Sequence, residues 1–380
     1  MTTPAIVEGR LVLDDRVAPG RLAIDDGLIT SVEVDGADVA DLPADAPYLA
    51  PGFVDVHVHG WGGHDAMGDL AALDGMARAL LRRGVTSFLP TAVTGPLDEL
   101  ATFAERVRSW LPAAPADGAE PLGFNLEGPF LAPAKRGAHA EAYLVSPAAA
   151  GRASLDALVD GLRLLTVAPE LPGATDLIGW LHGRGVAVSI GHSAAAVEQA
   201  RDAYAAGAHS TTHLFNAMTG VDHRSPGVAV AALLDDDAYV ELIADGIHVH
   251  PGIWPLITRL KPTDRLLLVS DALAVAGTAG GRGRIGGLEI EVRDGRATLA
   301  GTDTLAGSVI ALDSAVRNVV AAGVPLQDAV AAASRNPLEL LGVTDRGRLA
   351  AGQRADLVEL DEDLVVRRVM RGGSWVAGAD

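Results

Sequence analysis

No cysteine occurs among the 380 residues, which excludes disulfides, thiolate nucleophiles and zinc–sulfur sites together. A metal bound here must be held by His, Asp or Glu. Lysine is scarce as well: Lys135 and Lys261 stand against 28 arginines, a skew that reflects genome composition more than function. No run of about 18 apolar residues, the length needed to span a bilayer, is present. The opening MTTPAIVEGR has no basic segment leading into an apolar one. The expectation is a cytoplasmic protein without membrane contact. Positive charge is also in deficit. With 30 basic and 49 acidic residues the formal charge is −19, so nothing broadly attracts phosphodiester backbones, and nucleic acid is not an expected partner.

What remains is a chain that can bury a large core, since 49% of it is hydrophobic, and whose length suits one large domain with a small accessory one. Eight short apolar runs recur at 52–59, 86–92, 123–130, 162–170, 186–193, 208–215, 238–249 and 265–273. Between them lie helix-like segments such as 69–83, 97–110, 174–184, 194–206 and 308–322, with Gly84, Gly185, Gly207 and Gly323 at or near their ends. Eight strands alternating with helices predict an α/β fold, a (β/α)8 TIM-like barrel. Runs such as VAVSI and LLLV suit a sheet covered on both faces. The ends read differently. Residues 1–50 and 346–380 carry short alternating strands with turn signals, and neither is long enough for a stable sheet alone. They are expected to combine into one small β-sandwich domain flanking a catalytic barrel over 51–345. A further hairpin is expected at GLEIEVRDGRATL, 287–299, with Asp294-Gly295 at its turn, placed to cover the barrel mouth.

Catalytic groups of such barrels sit at the C-terminal ends of the strands. In PGFVDVHVHGWGG, His57 and His59 end the first run, and residues two apart on a strand point to the same side. Taken alone, the pair is either a metal couple or two polar residues. Glu127 ends the third run, His192 the fifth, His213 the sixth and Asp271 the eighth. A buried carboxylate without a partner is costly, so Glu127 in FNLEGPF and Asp271 after LLLVS call for a cation. His192 and His213 could each be satisfied core histidines, but one metal site explains all six positions. His64, His182 and His209 have no such setting and read as structural or exposed.

The segments PGFVDVHVHG, LEGPF, APE, GHS, THLFNAM, ADGIHVH and SDA, in this order, resemble the amidohydrolase superfamily and, within it, the N-acetylglucosamine-6-phosphate deacetylases. The likeness covers nearly the whole chain. Many superfamily members bridge two metals with a carboxylated lysine on the fourth strand, and LRLLTVAPE has none; a third-strand glutamate does that work in the deacetylases, and Glu127 matches it. The resemblance implies a metal set of His57, His59, Glu127, His192, His213 and Asp271, holding one or two divalent ions (Zn, Fe, Mn or Co). It implies metal-dependent hydrolysis of the N-acetyl group of N-acetyl-D-glucosamine 6-phosphate to D-glucosamine 6-phosphate and acetate, in amino-sugar catabolism. Asp271 would be general base and acid to a metal-activated water, and His139 in KRGAHAEAY the donor to the oxyanion. For the sugar phosphate it implies Asn216, Ala217, His248 and Arg224, the last able to reach across the interface of a homodimer. His223 and His250 are possible helpers. Two alternatives stay open: a deacetylase for N-acetylgalactosamine 6-phosphate, and a non-catalytic scaffold on the same fold.

Overall fold

The computed structural model describes residues 5–36, 42–43 and 45–378. Its centre is a barrel of eight parallel strands: Phe53–Val58, Val85–Val93, Phe124–Glu127, Leu162–Val167, Ala187–Ile190, Ser210–Thr211, Tyr239–Leu242 and Leu266–Leu268. Each pairs in parallel with the next. The ring is nearly closed where the chain beyond the eighth strand meets the first. There Asp271 N donates to His57 O at 2.8 Å and His59 N to Ala272 O at 2.9 Å. All nine residues of the second strand and all six of the first are buried, as in a sheet covered on both faces.

Except for the second, the strands are shorter than the runs that announced them. The fifth ends at Ile190 and the sixth at Thr211, because the next polar residues turn the backbone out of the ladder. The segment 69–83 becomes the helix Leu70–Leu81, and 97–110 the helix Leu97–Trp110. Gly84, Gly185, Gly207 and Gly323 all take positive φ, from 70° at Gly185 to 110° at Gly207. Short helices at Val228–Leu234, Trp254–Leu260, Leu326–Ala333 and Arg335–Leu340 have six to eight residues each, too few for a helical period to stand out in the sequence.

Inside the barrel Val54, Val56, Leu89, Leu164, Leu267 and Val269 form an apolar plug, and Leu338, Leu340 and Leu341 pack onto it. The six candidate ligands lie at the opposite, C-terminal mouth. Both chain ends meet in one seven-stranded sheet, in which the N-terminal strands run from Ala5–Val12 through Tyr48–Pro51, and Leu357–Leu360 lies antiparallel to Tyr48–Pro51. Glu120 ties the barrel to this sheet, contacting Arg346 at 3.1 Å, Arg371 at 3.3 Å and also Arg354. The expected hairpin is present as part of a three-stranded sheet, Arg282–Ile285, Leu288–Arg293 and Arg296–Leu299. Asp294 and Gly295 both have positive φ, 51° and 75°, as a two-residue turn matched to the strand twist requires. Its Ile285, Ile290 and Ala297 pack against Val93, Ala138 and Leu273, so the small sheet roofs one side of the mouth.

Candidate active site

The six candidate ligands come together at that mouth. His57 has no exposed surface and the other five are at most 6% exposed. His57 is inside the first strand and Glu127 is the last residue of the third. His192, His213 and Asp271 follow their strands by two or three residues, in left-handed backbone with φ of 48°, 29° and 48°. Such a conformation costs a non-glycine residue about 1–3 kcal/mol and survives only where the surroundings enforce it. Here it swings three side chains over the barrel axis.

The Nε2 atoms of four histidines converge on two carboxylates. His59 Nε2 lies 3.2 Å from Glu127 Oε2 and 3.1 Å from Asp271 Oδ1; His57 Nε2 lies 3.6 and 3.7 Å from the same two side chains. His192 Nε2 and His213 Nε2 each lie 2.9 Å from Glu127 Oε1 and 3.1 Å from one another. Glu127 thus stands between two groups, His57, His59 and Asp271 on one side and His192 and His213 on the other.

The remaining ring nitrogens fix what these atoms are. His59 Nδ1 is 3.0 Å from Thr91 O and His192 Nδ1 is 2.8 Å from Lys135 O. A carbonyl only accepts, so both Nδ1 atoms carry hydrogen and the neutral rings have a bare lone pair on Nε2. His57 Nδ1 meets the carboxylate of Glu241 at 3.0 Å, with the same result. Lone pairs face carboxylate oxygens, acceptor against acceptor. Accordingly, His57 Nε2 and His59 Nε2 make no hydrogen bond among the described residues despite being buried. This arrangement fits a metal cage, in which outer partners set the tautomer and leave the inner atoms able to bind a cation. The four residues His57, His59, Glu127 and Asp271 bring ligand atoms within 4.8 Å of one another.

Protons compete for this cage. Burial alone would lower His59, yet Asp271 and Glu127 beside it lift it to about 9. Burial and the neighbouring His139 push His192 down to about 4, so it is neutral near pH 7. Burial opposes ionisation of Glu127, but His139 and His57 outweigh it and hold the carboxyl well below its ordinary range. His139 differs from the other rings. Its Nδ1 faces Thr94, with the backbone N–H at 3.3 Å and Oγ1 at 2.9 Å, and its Nε2 points into the site, 3.2 Å from Glu127 Oε2. Glu127, His139 and His192 likewise bring ligand atoms within 4.8 Å of one another.

A cavity of about 350 Å³ opens beside the cage, lined by Glu127, His139, His192, His213 and Asp271 and, farther out, by Lys135, Asn216, Ala217 and His248. His248 Nδ1 is held by Asp245 at 2.7 Å. Asn216 donates to His213 O at 3.1 Å and Leu214 O at 3.2 Å, which stiffens the loop after the sixth strand. Arg224 is not among these residues: it is exposed, on a loop turned by Asp222, and does not line the cavity. His223 and His250 are exposed too, and His250 accepts from Gly252 N as a helix cap. His182 and His209 pair with each other at 3.1 Å, away from the site.

Two buried carboxylates were not singled out from the sequence. Asp55 Oδ1 accepts from the backbone N–H groups of His57 and Ser270, both at 3.3 Å, and so aligns the neighbours of two ligands. Glu241 holds His57. A charged residue inside the apolar run YVELIAD was the available signal for Glu241.

The match to the amidohydrolase family model extends over residues 48–376, which spans the barrel and the strands that flank it. The chain belongs to the amidohydrolase family. Among curated proteins of this family, it is 38% identical over 373 residues to the N-acetylgalactosamine-6-phosphate deacetylase of Escherichia coli O157:H7, covering 96% of this chain and 94% of that one. It is 40% identical over 346 residues to the N-acetylglucosamine-6-phosphate deacetylase of Bos taurus, covering 86% and 83%. Among solved structures, it superposes with a TM-score of 0.90 on a mutant of the N-acetyl-D-glucosamine-6-phosphate deacetylase of Mycobacterium smegmatis in complex with N-acetyl-D-glucosamine 6-phosphate. That pair is 36% identical, with 99% of this chain and 100% of the other covered. No helix among the described residues is long and apolar enough to cross a membrane.

Proposed function

We infer that the protein is a metal-dependent deacetylase that hydrolyses the N-acetyl group of N-acetyl-D-glucosamine 6-phosphate to D-glucosamine 6-phosphate and acetate. The observation that carries this reading is the convergence of histidine lone pairs on Glu127 and Asp271 at the wall of a cavity large enough for a sugar phosphate. The relatives supply the substrate class. The cage residues would hold a divalent ion, zinc, iron, manganese or cobalt, whose chemistry when bound would be to polarise an amide carbonyl and acidify a water toward neutral pH.

The residues of the chain divide the remaining work. Glu127 stands between the two ligand groups, and His57 with His59 would provide a second position, so that up to two ions would be held per chain. Asp271 Oδ1, at the edge of the cage 3.1 Å from His59 Nε2, takes the proton of the attacking water and returns it to the departing amine. His139, with Nε2 aimed inward, donates to the carbonyl oxygen as negative charge develops there. His248, Asn216 and the backbone at Ala217 line the outer part of the cavity and orient the sugar and its phosphate. Arg224 serves the phosphate of a partner subunit in a homodimer, because its exposed position leaves it outside the cavity of its own chain.

The identity to the E. coli protein over 96% of the chain favours one second reading, preference for the galactosamine epimer. Acetate release from both sugar phosphates by protein of measured metal content decides between them. A higher kcat/KM for the glucosamine epimer is expected; a higher value for the galactosamine epimer reverses the assignment, and no acetate from either rejects the deacetylase reading.

A further inference from the structure

The rings around Glu127 are not held alike. His59 and His192 lean on backbone carbonyls, and His213 Nδ1 has no hydrogen-bond partner among the described residues. His57 leans on Glu241, in the middle of the seventh strand and without exposed surface. Glu241 Oε2 accepts twice, from His57 Nδ1 at 3.0 Å and from the backbone N–H of His213 at 3.1 Å. Its Oε1 is buried and makes no hydrogen bond among the described residues. Because His57 turns Nδ1 to Glu241 and Nε2 to Glu127 and Asp271, Glu241 lies behind the ring and is not itself a ligand.

An ionised carboxylate in a barrel interior, with one oxygen unsatisfied, is expensive unless positive charge stands close by. Glu127 and Asp271 can balance a single divalent cation. With Glu241 one ring farther away, the region can also offset much of a second. A carboxylate behind a ligating histidine fixes its tautomer and makes it a stronger donor, an effect worth about 10–100-fold in metal affinity. Resting on the metal-site reading above, we propose that Glu241 is a positioning residue for the metal site. It locks His57 in the form that offers Nε2, and by holding the His213 backbone it ties the first-strand ligands to the sixth-strand one.

The test is zinc titration into chelator-stripped wild type, Glu241→Gln and Glu241→Leu, with the number bound and each affinity measured, alongside thermal unfolding of the stripped proteins. Gln keeps an oxygen able to accept both hydrogen bonds but loses the charge; Leu loses both. The expected result is two zinc ions in the wild type, with one of them weakened about tenfold or more by Gln and lost with Leu, while the stripped proteins unfold alike. In a His57→Ala background, Glu241→Gln should change zinc binding no further. Unchanged zinc binding in both variants, equal weakening of both ions, a further loss in the His57→Ala background, or failure of Glu241→Gln to fold would each overturn the proposal. The deacetylase reading is judged separately, by acetate release from the wild type, so either can fail without the other.

Discussion

The two ends of the cavity are built on different principles. At the metal end every group is buried and all but the His213 ring are fixed from outside, His59 by Thr91 O, His192 by Lys135 O, His57 by Glu241, and the Asp271 backbone by His57 O. At the outer end Asn216, Ala217 and His248 are only partly buried, and the arginine expected to meet the phosphate is exposed on its own loop. The comparison teaches that, on the proposed reading, the groups for bond breaking lie within one chain, whereas the arginine proposed for the phosphate lies at its surface. Substitutions at the metal end should therefore destroy turnover on any acetylated sugar. Those at the outer end should discriminate between phosphorylated and unphosphorylated ones.

The largest effect is expected from Glu127→Ala, which removes the residue shared by both ligand groups. Metal analysis should find both ions lost and acetate release should fall to background; retained metal and turnover would separate the cage from the chemistry. Asp271→Asn comes next. It preserves shape but cannot take a proton, so kcat should fall by about 10²-fold or more with KM little changed; near-native turnover would assign the base elsewhere. At the other end, Arg224→Ala should raise KM for the phosphorylated sugar by about 10–100-fold, the worth of a charge-assisted hydrogen bond, and leave activity on unphosphorylated N-acetylglucosamine almost unchanged. Equal losses on both sugars would make the two ends one unit.

A smaller, partial loss of rate is expected from His57→Ala combined with His59→Ala, with the metal count falling from two to about one. An unchanged count would show that this pair is structural. The mildest effect is on pH. His59 in the metal-free site is lifted to about 9, so a metal must displace its proton. Affinity should climb with pH by at most about tenfold per unit for one displaced proton, and level off above about 9. The same shift stabilises the metal-free protein below the ordinary histidine value of 6.5, and that contribution is lost as pH rises through about 9. Calorimetric titrations at pH 7 and pH 9 check the first, thermal unfolding of the stripped protein the second.

The metal end was legible in the sequence because its chemistry is local. His57 and His59 share a strand face by spacing alone, and Glu127 and Asp271 are charges at the ends of apolar runs, where burial demands a partner. The left-handed turns at His192, His213 and Asp271 were not legible, since nothing in a histidine or aspartate announces positive φ. The roles of Asp55 and Glu241 depend on contacts between strands far apart in the chain, such as that joining Glu241 to His57. The strand order follows from eight alternating runs. The short helices over 326–340 escaped because one or two turns contain too little period to read.

The most direct measurement titrates a divalent ion back into chelator-stripped protein and follows, in the same samples, metal bound per chain and acetate released from N-acetyl-D-glucosamine 6-phosphate. Acetate release should be absent from the stripped protein, rise in step with metal bound, and remain absent from Glu127→Ala at every metal concentration. Full turnover by the stripped wild type, or metal-dependent turnover by Glu127→Ala, would contradict a catalytic metal site centred on Glu127.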